Sequence, residues 1–390
     1  KNHVNISTKI NENCILRPIN FTIMRSLLKI ALLLTVAFAF YACPSDDGGT
    51  SIVVRNEEEV YNENIAQIED FLHTHYVTID ADYNTVFTEI PEGGSQTPIW
   101  DMPELVKNFE VELNDISYKM YYLKMNEGQN LNPTPLDSVY ASYKGIVFEK
   151  VTEVVGSVST TFTKQTVFDQ ALTPTWFKLE DVISGWSEIF PFFKTGDFSE
   201  NPLNGDVSYS NFGAGVMFVP SGLAYFNEEK GLIPAYSPLI FTFGLKGLRY
   251  RDHDGDKVLT KDEYREPEVG DIVDYVNGTV NFKKTAKDTD GDGRPDYLDI
   301  DDDGDGYLTK TEVRFTYVDG GQTITSYYPF QGATTDDPST PYDDRRGIPR
   351  KFTGPIVSPS TLPSPIEADF TDVARLRRHL DKTCKPPYQN

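Results

Sequence analysis

"VISGWSEIF", residues 182–190, sets a glycine and a tryptophan inside a short apolar run. Its neighbours along the chain read as strands. "DSVYASYKGIVF" (137–148) is one, and "AGVMFVPSGLAYF" (214–226) is a second that ends at Pro220. "PLIFTFGLKGL" (238–248) places Leu239, Phe241, Phe243 and Leu245 on one face, the two-residue period of a strand. Among these strands only Gly185 to Phe190 reads as helix. The combination predicts an α+β fold in which an antiparallel sheet wraps on one short helix. The glycine is expected to let the chain turn tightly into that helix.

Composition bounds what such a fold could do. With 390 residues, 39% of them hydrophobic, the chain can bury at least one sizeable core. A formal charge of -23 with no basic stripe repels phosphate backbones, which argues against a nucleic-acid partner. The sequence has no H-E-x-x-H, G-x-S-x-G, phosphate loop or C-x-x-C, and its five histidines are scattered. Hydrolase and nucleotide-dependent chemistries rank low on that ground.

The ordered set "YKG", "VFDQ", "FKLEDVISGW", "TG", "VPSGLAY" and "GLIPAYSPLIFTFGL" resembles an FKBP-type peptidyl-prolyl isomerase over about residues 138–248. The resemblance implies a pocket floored by Trp186. Tyr143, Phe168, Phe177 and Val182 would form walls on one side, with Ile183, Tyr225, Ile233 and Phe241 completing them. Asp169 would be the polar residue at the rim. It further implies that Tyr225 and the backbone of Ile183 bond the carbonyls of a proline-like ligand. Such a pocket suits the chemistry, because amide resonance imposes a barrier of about 18–20 kcal/mol on the peptide bond. An apolar cleft can hold the proline ring, strip water from the carbonyl and favour the twisted state without a nucleophile or a metal. Taken singly, Trp186, Phe177 and Phe241 would be core residues and Asp169 a turn residue; their joint spacing marks the pocket.

Three departures from the family pattern bear on activity. "EKVTEVVGSVSTTFTKQ" lengthens the connection between Gly145 and Phe168, and "DFSENPLNGDVSYSN" is inserted after Gly196. Phe226 follows the tyrosine where the family commonly has glycine, and "NEEKG" continues a loop beside the pocket. These features keep open a second reading, a non-catalytic FKBP-fold subunit or binding module.

A second chemistry begins after the last strand. "DHDGDKVLTKDE" places Asp252, Asp254, Asp256, the Val258 carbonyl, Thr260 and Glu263 at positions 1, 3, 5, 7, 9 and 12 of an EF-hand-like loop. "DDDGDGYLTKTE" repeats the pattern with Asp301, Asp303, Asp305, the Tyr307 carbonyl, Thr309 and Glu312. Between them "DTDGDGRPDYLD" aligns Asp288, Asp290, Asp292, Asp296 and Asp299, and resembles a thrombospondin type 3 calcium repeat. From Asp252 to Glu312 there are 19 acidic residues against 8 basic ones, which would repel one another without cations. Oxygen-only ligands suit Ca²⁺ rather than zinc, and an abundant extracellular ion points to a structural role.

Targeting signals complete the reading. "MRSLLKIALLLTVAFAFYAC" (24–43) has a basic start, an apolar stretch and a terminal cysteine, and its end resembles a bacterial lipobox. This implies lipidation of Cys43 and loss of residues 1–42, an upstream extension plus signal peptide. "CPSDDGGTS" resembles the acidic tag that sends some lipoproteins to the outer face of the outer membrane. The expected organisation is a tether over 43–56, a helix and strands over 57–135, and the isomerase domain over 136–250. A calcium module over 251–315 and a Pro-rich extension over 316–390 follow. Tyr61, Ile65, Ile68 and Leu72 predict a helix from Glu57 to Tyr76, whose His73 and His75 read as surface residues. "DFTDVARLRRHL" predicts a short helix in the extension, wrapping on the calcium module or reaching a partner, and Cys384 reads as incidental. The expected partners are proline-containing polypeptides, the outer membrane, and a secretion or gliding-motility assembly in the subunit reading.

Overall fold

The structure, a computed structural model, describes residues 54–263 and 286–388. Cys43 and its expected lipid lie outside the described residues. Helix α1 spans Glu57–Thr74. Asn56 caps it by accepting from the Glu59 N–H at 2.9 Å, and Glu57, Glu58 and Glu59 face the positive end of its dipole. It stops short of the expected Tyr76 because His75 is already extended and opens β1 (His75–Ile79), which pairs with β2 (Thr85–Glu89). His75 is not the surface residue expected. It is buried, stacked on Phe71 at 3.9 Å, with Nδ1 3.1 Å from the Phe71 carbonyl.

The central sheet comprises β3 (Leu105–Leu113), β4 (Ile116–Asn126), β5 (Ser138–Val155), β6 (Val158–Lys178), β9 (Gly213–Val219) and β10 (Leu239–Arg249). Between β6 and β9 lie the short helix α2 (Ser184–Ile189) and the hairpin of β7 (Asp197–Glu200) with β8 (Val207–Ser210). The strand order is β3-β4-β9-β10-β5-β6, antiparallel throughout. The fold is thus α+β, as expected. A boundary at 136, however, divides one sheet, because β4 pairs with β9.

Both faces of the sheet are buried. Tyr118, Met120, Met217, Val219, Leu239, Phe241 and Phe243 pack with Trp186, Ile189 and Phe190 of the α2 region. The alternate residues Tyr121, Leu123, Val216, Phe218 and Ile240 pack with Ile68, Phe71 and Leu72 of α1. The short helix therefore covers one face and α1 the other, an arrangement the expectation of one helix did not contain. The two long insertions fold as hairpins. β5 and β6 run on together to a turn at Gly156, whose φ of +67° suits glycine.

Beyond β10, the acidic loops lead through α3 (Thr309–Glu312) to a hairpin of β11 (Arg314–Asp319) and β12 (Gln322–Tyr327). The extension wraps back on this module. "DFTDVARLRRHL" is not one helix: α4 (Glu367–Thr371) ends early, and a separate 3-10 turn covers Arg378–Leu380. Between them the arginines turn inward to carbonyls. Arg375 Nε donates to the Ile348 carbonyl at 2.6 Å, and Arg378 donates to those of Glu312 and, at 3.0 Å, Arg314. Tyr388 Oη donates to Glu312 Oε1 at 2.5 Å, and Cys384 is buried. Among the described residues no helix is long and apolar enough to cross a membrane.

Candidate functional site

Trp186 sits in the first turn of α2, its N–H donating to the Ile183 carbonyl at 2.9 Å. The glycine before it is explained by packing rather than by the tight turn expected. Gly185 is helical, and a Cβ there would lie 2.6 Å from Val219 Cγ1 on β9. Only glycine lets the helix rest this closely on the sheet. The indole is then fixed by its neighbours: Tyr143, Phe177 and Phe241 meet it edge-on at 5.1, 5.3 and 5.4 Å, and Phe190 stacks on it at 5.2 Å. Such aromatic pairs add about 0.5–1.5 kcal/mol each beyond burial. The buried indole N–H has no hydrogen-bond partner among the described residues.

All of these rings except Phe190 border a cavity of about 440 Å³. Every pocket residue expected from the sequence lines it except Ile233, which is buried in the adjoining core. Asp181, Ser184, Ala224 and Lys230 also line it and were not anticipated. Asp181 and Ser184 flank the "VI" of the quoted stretch, so proximity in sequence was the available signal. Phe168 lies across β5 because its partner strand carries Gly145, where a Cβ would fall 2.4 Å from the ring.

Tyr143, Asp169, Tyr225 and Lys230 interact as one polar set. Tyr143 Oη donates to Asp169 Oδ2, and Asp169 Oδ1 accepts from the Gln170 N–H at 2.9 Å. Burial, then the bond to Asp169, pushes the Tyr143 phenol up; burial followed by the Asp169 charge does the same to Tyr225. Both phenols therefore stay protonated at neutral pH and can donate. Lys230 Nζ lies 4.6 Å from the Tyr225 ring centroid. Phe226, where glycine is usual, has φ of +45°, an uncommon backbone for a bulky residue. It is braced by Tyr236, whose N–H donates to its carbonyl at 2.6 Å and whose ring meets it edge-on at 5.3 Å.

Among the described residues the acidic loops form four carboxylate groupings in which one oxygen of each member lies within 4.8 Å of the others. Three follow the expected spacing: Asp252 with Asp254 and Asp256, Asp288 with Asp290 and Asp292, and Asp301 with Asp303 and Asp305. The fourth joins Asp256 and Glu263 to Asp302, a residue the sequence reading did not single out. Within each loop, short side-chain bonds set the curvature, as where the Gly255 N–H donates to Asp252 Oδ1 at 2.8 Å and the Gly306 N–H to Asp301 Oδ2 at 3.0 Å. The Val258 and Tyr307 N–H groups donate to Asp256 and Asp305 at 2.7 and 2.8 Å.

Thr260, Asp296 and Thr309 play a different part, each bonded to the second residue of its own loop. Thr260 Oγ1 is 2.7 Å from His253 Nδ1, Asp296 accepts from the Thr289 N–H at 2.7 Å, and Thr309 Oγ1 accepts from the Asp302 N–H at 3.1 Å. Asp299 accepts from the Asp301 N–H at 3.0 Å, and Glu312 is bonded by Tyr388. Burial, and then neighbouring carboxylates, pushes Asp256 up to about 8, Asp302 to about 10 and Glu263 to about 11. A cation among them would hold all three ionised. His253 has committed both ring nitrogens, to Thr260 and to Glu180 Oε2 at 3.0 Å, which leaves an oxygen-only donor set that fits a hard divalent ion.

Comparison with known proteins adds the following. A family described as BamM C-terminal matches residues 253–342. Among solved structures the chain is similar to a peptidyl-prolyl cis-trans isomerase from Pseudomonas syringae pv. tomato, at 22% identity and a TM-score of 0.25, covering 38% of this chain and 83% of that one. It is also similar to FkpA from Escherichia coli, at 19% identity and a TM-score of 0.28, covering 49% of this chain and 62% of FkpA, less than two thirds of that protein. No curated protein matches the sequence.

Proposed function

We propose that this chain is an FKBP-type peptidyl-prolyl cis-trans isomerase, held at the outer membrane by a lipid on Cys43, with a C-terminal module stiffened by Ca²⁺. The observation that carries the isomerase reading is the 440 Å³ cavity lined by Trp186 and its aromatic neighbours, with Asp169 bonded to Tyr143 and Tyr225 in the same lining. A proline ring packed on the indole would lose its water, and with it the solvation that stabilises the planar imide. The Tyr225 hydroxyl is the donor for a ligand carbonyl, while Asp169 orients Tyr143 through their bond. The rate gain would come from binding the twisted bond better than the planar one.

In the calcium reading, the residues that would hold ions are the first, third and fifth aspartates of each loop, with Glu263 and Glu312 at the twelfth positions. The ions would supply only charge and rigidity. A second reading, a non-catalytic subunit of an outer-membrane assembly, is favoured by the match of residues 253–342 to the BamM C-terminal family. The two readings are compatible if the isomerase serves that assembly.

The test is acceleration of Leu-Pro isomerisation by the purified chain in calcium. The expected result is catalysis blocked by a macrolide ligand of the FKBP family and reduced about tenfold or more by Asp169→Ala and by Tyr225→Phe, with unchanged melting. A folded, calcium-loaded protein that gives no acceleration would sink the isomerase reading and leave the subunit reading standing. For the calcium module, chelation should lower Tm and increase protease cutting within residues 252–312; no change in either would remove the ligand assignment.

A further inference from the structure

Asp302 occupies the second position of the second loop, a position the loop pattern does not use for binding. Its backbone behaves as expected of that position, the N–H donating to Thr309 Oγ1 at 3.1 Å. The side chain does something else, grouping with Asp256 and Glu263 of the first loop rather than with Asp301, Asp303 and Asp305 of its own. All three residues are buried, at 1%, 2% and 3% exposure for Asp302, Asp256 and Glu263. Both oxygens of Asp302, both of Glu263 and Oδ2 of Asp256 lack a hydrogen-bond partner among the described residues. No described lysine or arginine forms an ion pair with any of the three; Lys287 pairs with Asp296 at 3.8 Å, and its charge reaches Asp302 and Glu263 only from beyond ion-pair distance.

Three buried carboxylates that carry five unpartnered oxygens, with one oxygen of each within 4.8 Å of the others, are costly unless a cation sits among them. We propose that Asp302 is a Ca²⁺ ligand of the first loop's site, so that one ion is held jointly by Asp256, Glu263 and the neighbouring loop. This rests on the calcium reading above and deepens it. The consequence is that the first site is incomplete without the second loop. The ion pins two segments that are far apart in sequence, and the first site is formed by the module as a whole rather than by its own twelve residues. Ca²⁺ suits this role because it accepts six to eight oxygens in flexible geometry.

The test is calorimetric titration of the chelator-stripped full chain with Ca²⁺ alone, comparing wild type with Asp302→Asn, Glu263→Gln and Asp305→Asn. Asp302→Asn should weaken the same binding step as Glu263→Gln, by about tenfold or more, and the pair together should be little worse than either alone. It should leave the step weakened by Asp305→Asn unchanged. Melting gives a second readout. Without an ion the buried Asp302 carboxyl is protonated at neutral pH, so its near-isosteric amide should leave Tm in chelator close to wild type, whereas losing a ligand should lower it in saturating calcium. The proposal is overturned if Asp302→Asn leaves every step intact, if it weakens the Asp305 step instead, or if it lowers Tm in both conditions as a purely structural residue would. A wild-type chain that takes up no Ca²⁺ would show instead that the underlying calcium reading has failed.

Discussion

Gly185→Ala tests whether close packing of the helix on the sheet sets the pocket. The new methyl would lie 2.6 Å from Val219 Cγ1, 3.2 Å from its Cγ2 and 3.3 Å from Met120 Cε. Met120 ends in a flexible group that can move. Val219 cannot retreat, because it is fully buried and its strand is paired on both sides, with Leu239 opposite it on β10. Alanine in place of glycine would favour the helix by about 0.5–1 kcal/mol. Overpacking costs about 1–3 kcal/mol. The net expectation is a loss of about 1–2 kcal/mol, with α2 pushed off β9 and Trp186 displaced from Tyr143, Phe177 and Phe241. The assay is the urea midpoint in saturating calcium, followed by tryptophan fluorescence, for Gly185→Ala, Val219→Ala and the double variant. Val219→Ala opens the space the methyl needs, so the two should couple favourably by about 1–2 kcal/mol. Isomerase activity should fall in the single glycine variant and recover in part in the double. A Gly185→Ala protein as stable as wild type, or strict additivity with Val219→Ala, would refute the reasoning.

Two other residues carry stability predictions. Burial lowers the His75 pKa, so the folded state keeps the ring neutral while the unfolded chain takes up a proton near pH 6.5. Stability from this group is complete above that pH and is lost as pH falls below it, at no more than about 1.4 kcal/mol per pH unit. In saturating calcium, melting between pH 7 and 5 should therefore show a slope that His75→Gln flattens; an unchanged slope would assign the acid sensitivity elsewhere. Arg378 is buried against the Glu312 and Arg314 carbonyls, with its guanidinium 4.3 Å from the Tyr388 ring centroid. Arg378→Met should cost about 2–3 kcal/mol by leaving those carbonyls without their charged donor, read as earlier proteolysis of the C-terminal module. Wild-type resistance would show that the tail is not what holds the module.

What could be read from the sequence was decided by whether a residue's role depends on near neighbours. The aromatic cavity was legible because its residues come in runs whose order and spacing carry the information, and the 1, 3, 5 spacing of the loop aspartates was legible for the same reason. Strand order was not, since period 2 says which face a residue occupies and nothing of which strand lies beside it. In Val216, Met217, Phe218 and Val219 even the alternation vanishes, because α1 and α2 bury opposite faces of β9. Asp302 escaped because its partners belong to another loop. Arg375, Arg377 and Arg378 lie in a stretch that reads as one short helix, but their acceptors are backbone carbonyls that only the folded chain brings near.

The junction between the cavity and the first acidic loop centres on Glu180. This residue sits in the 3-10 turn Leu179–Asp181, directly before the cavity wall at Asp181, Val182 and Ile183. Its carboxylate accepts from the Arg251 guanidinium and bonds His253 Nε2 at 3.0 Å, joining the turn to the start of the first acidic loop. Asp137 reinforces the joint, accepting from the Arg251 N–H through Oδ1 at 3.0 Å and from the Leu179 N–H through its carbonyl at 2.9 Å. If this loop holds Ca²⁺ as proposed, losing the ion is expected to free His253 and Arg251, and the turn carrying the cavity wall then loses its anchor. Since Glu180 is 28% exposed at its side chain, solvent screening keeps the effect small. Chelation is therefore expected to raise KM for a proline peptide by about two- to fivefold with kcat little changed, an energy of about 1 kcal/mol or less. Glu180→Ala should raise KM in calcium by a similar factor and remove most of the remaining response to chelator. Equal KM with and without calcium in the wild-type chain would mean that the joint transmits nothing, and that the acidic module serves contacts other than the pocket.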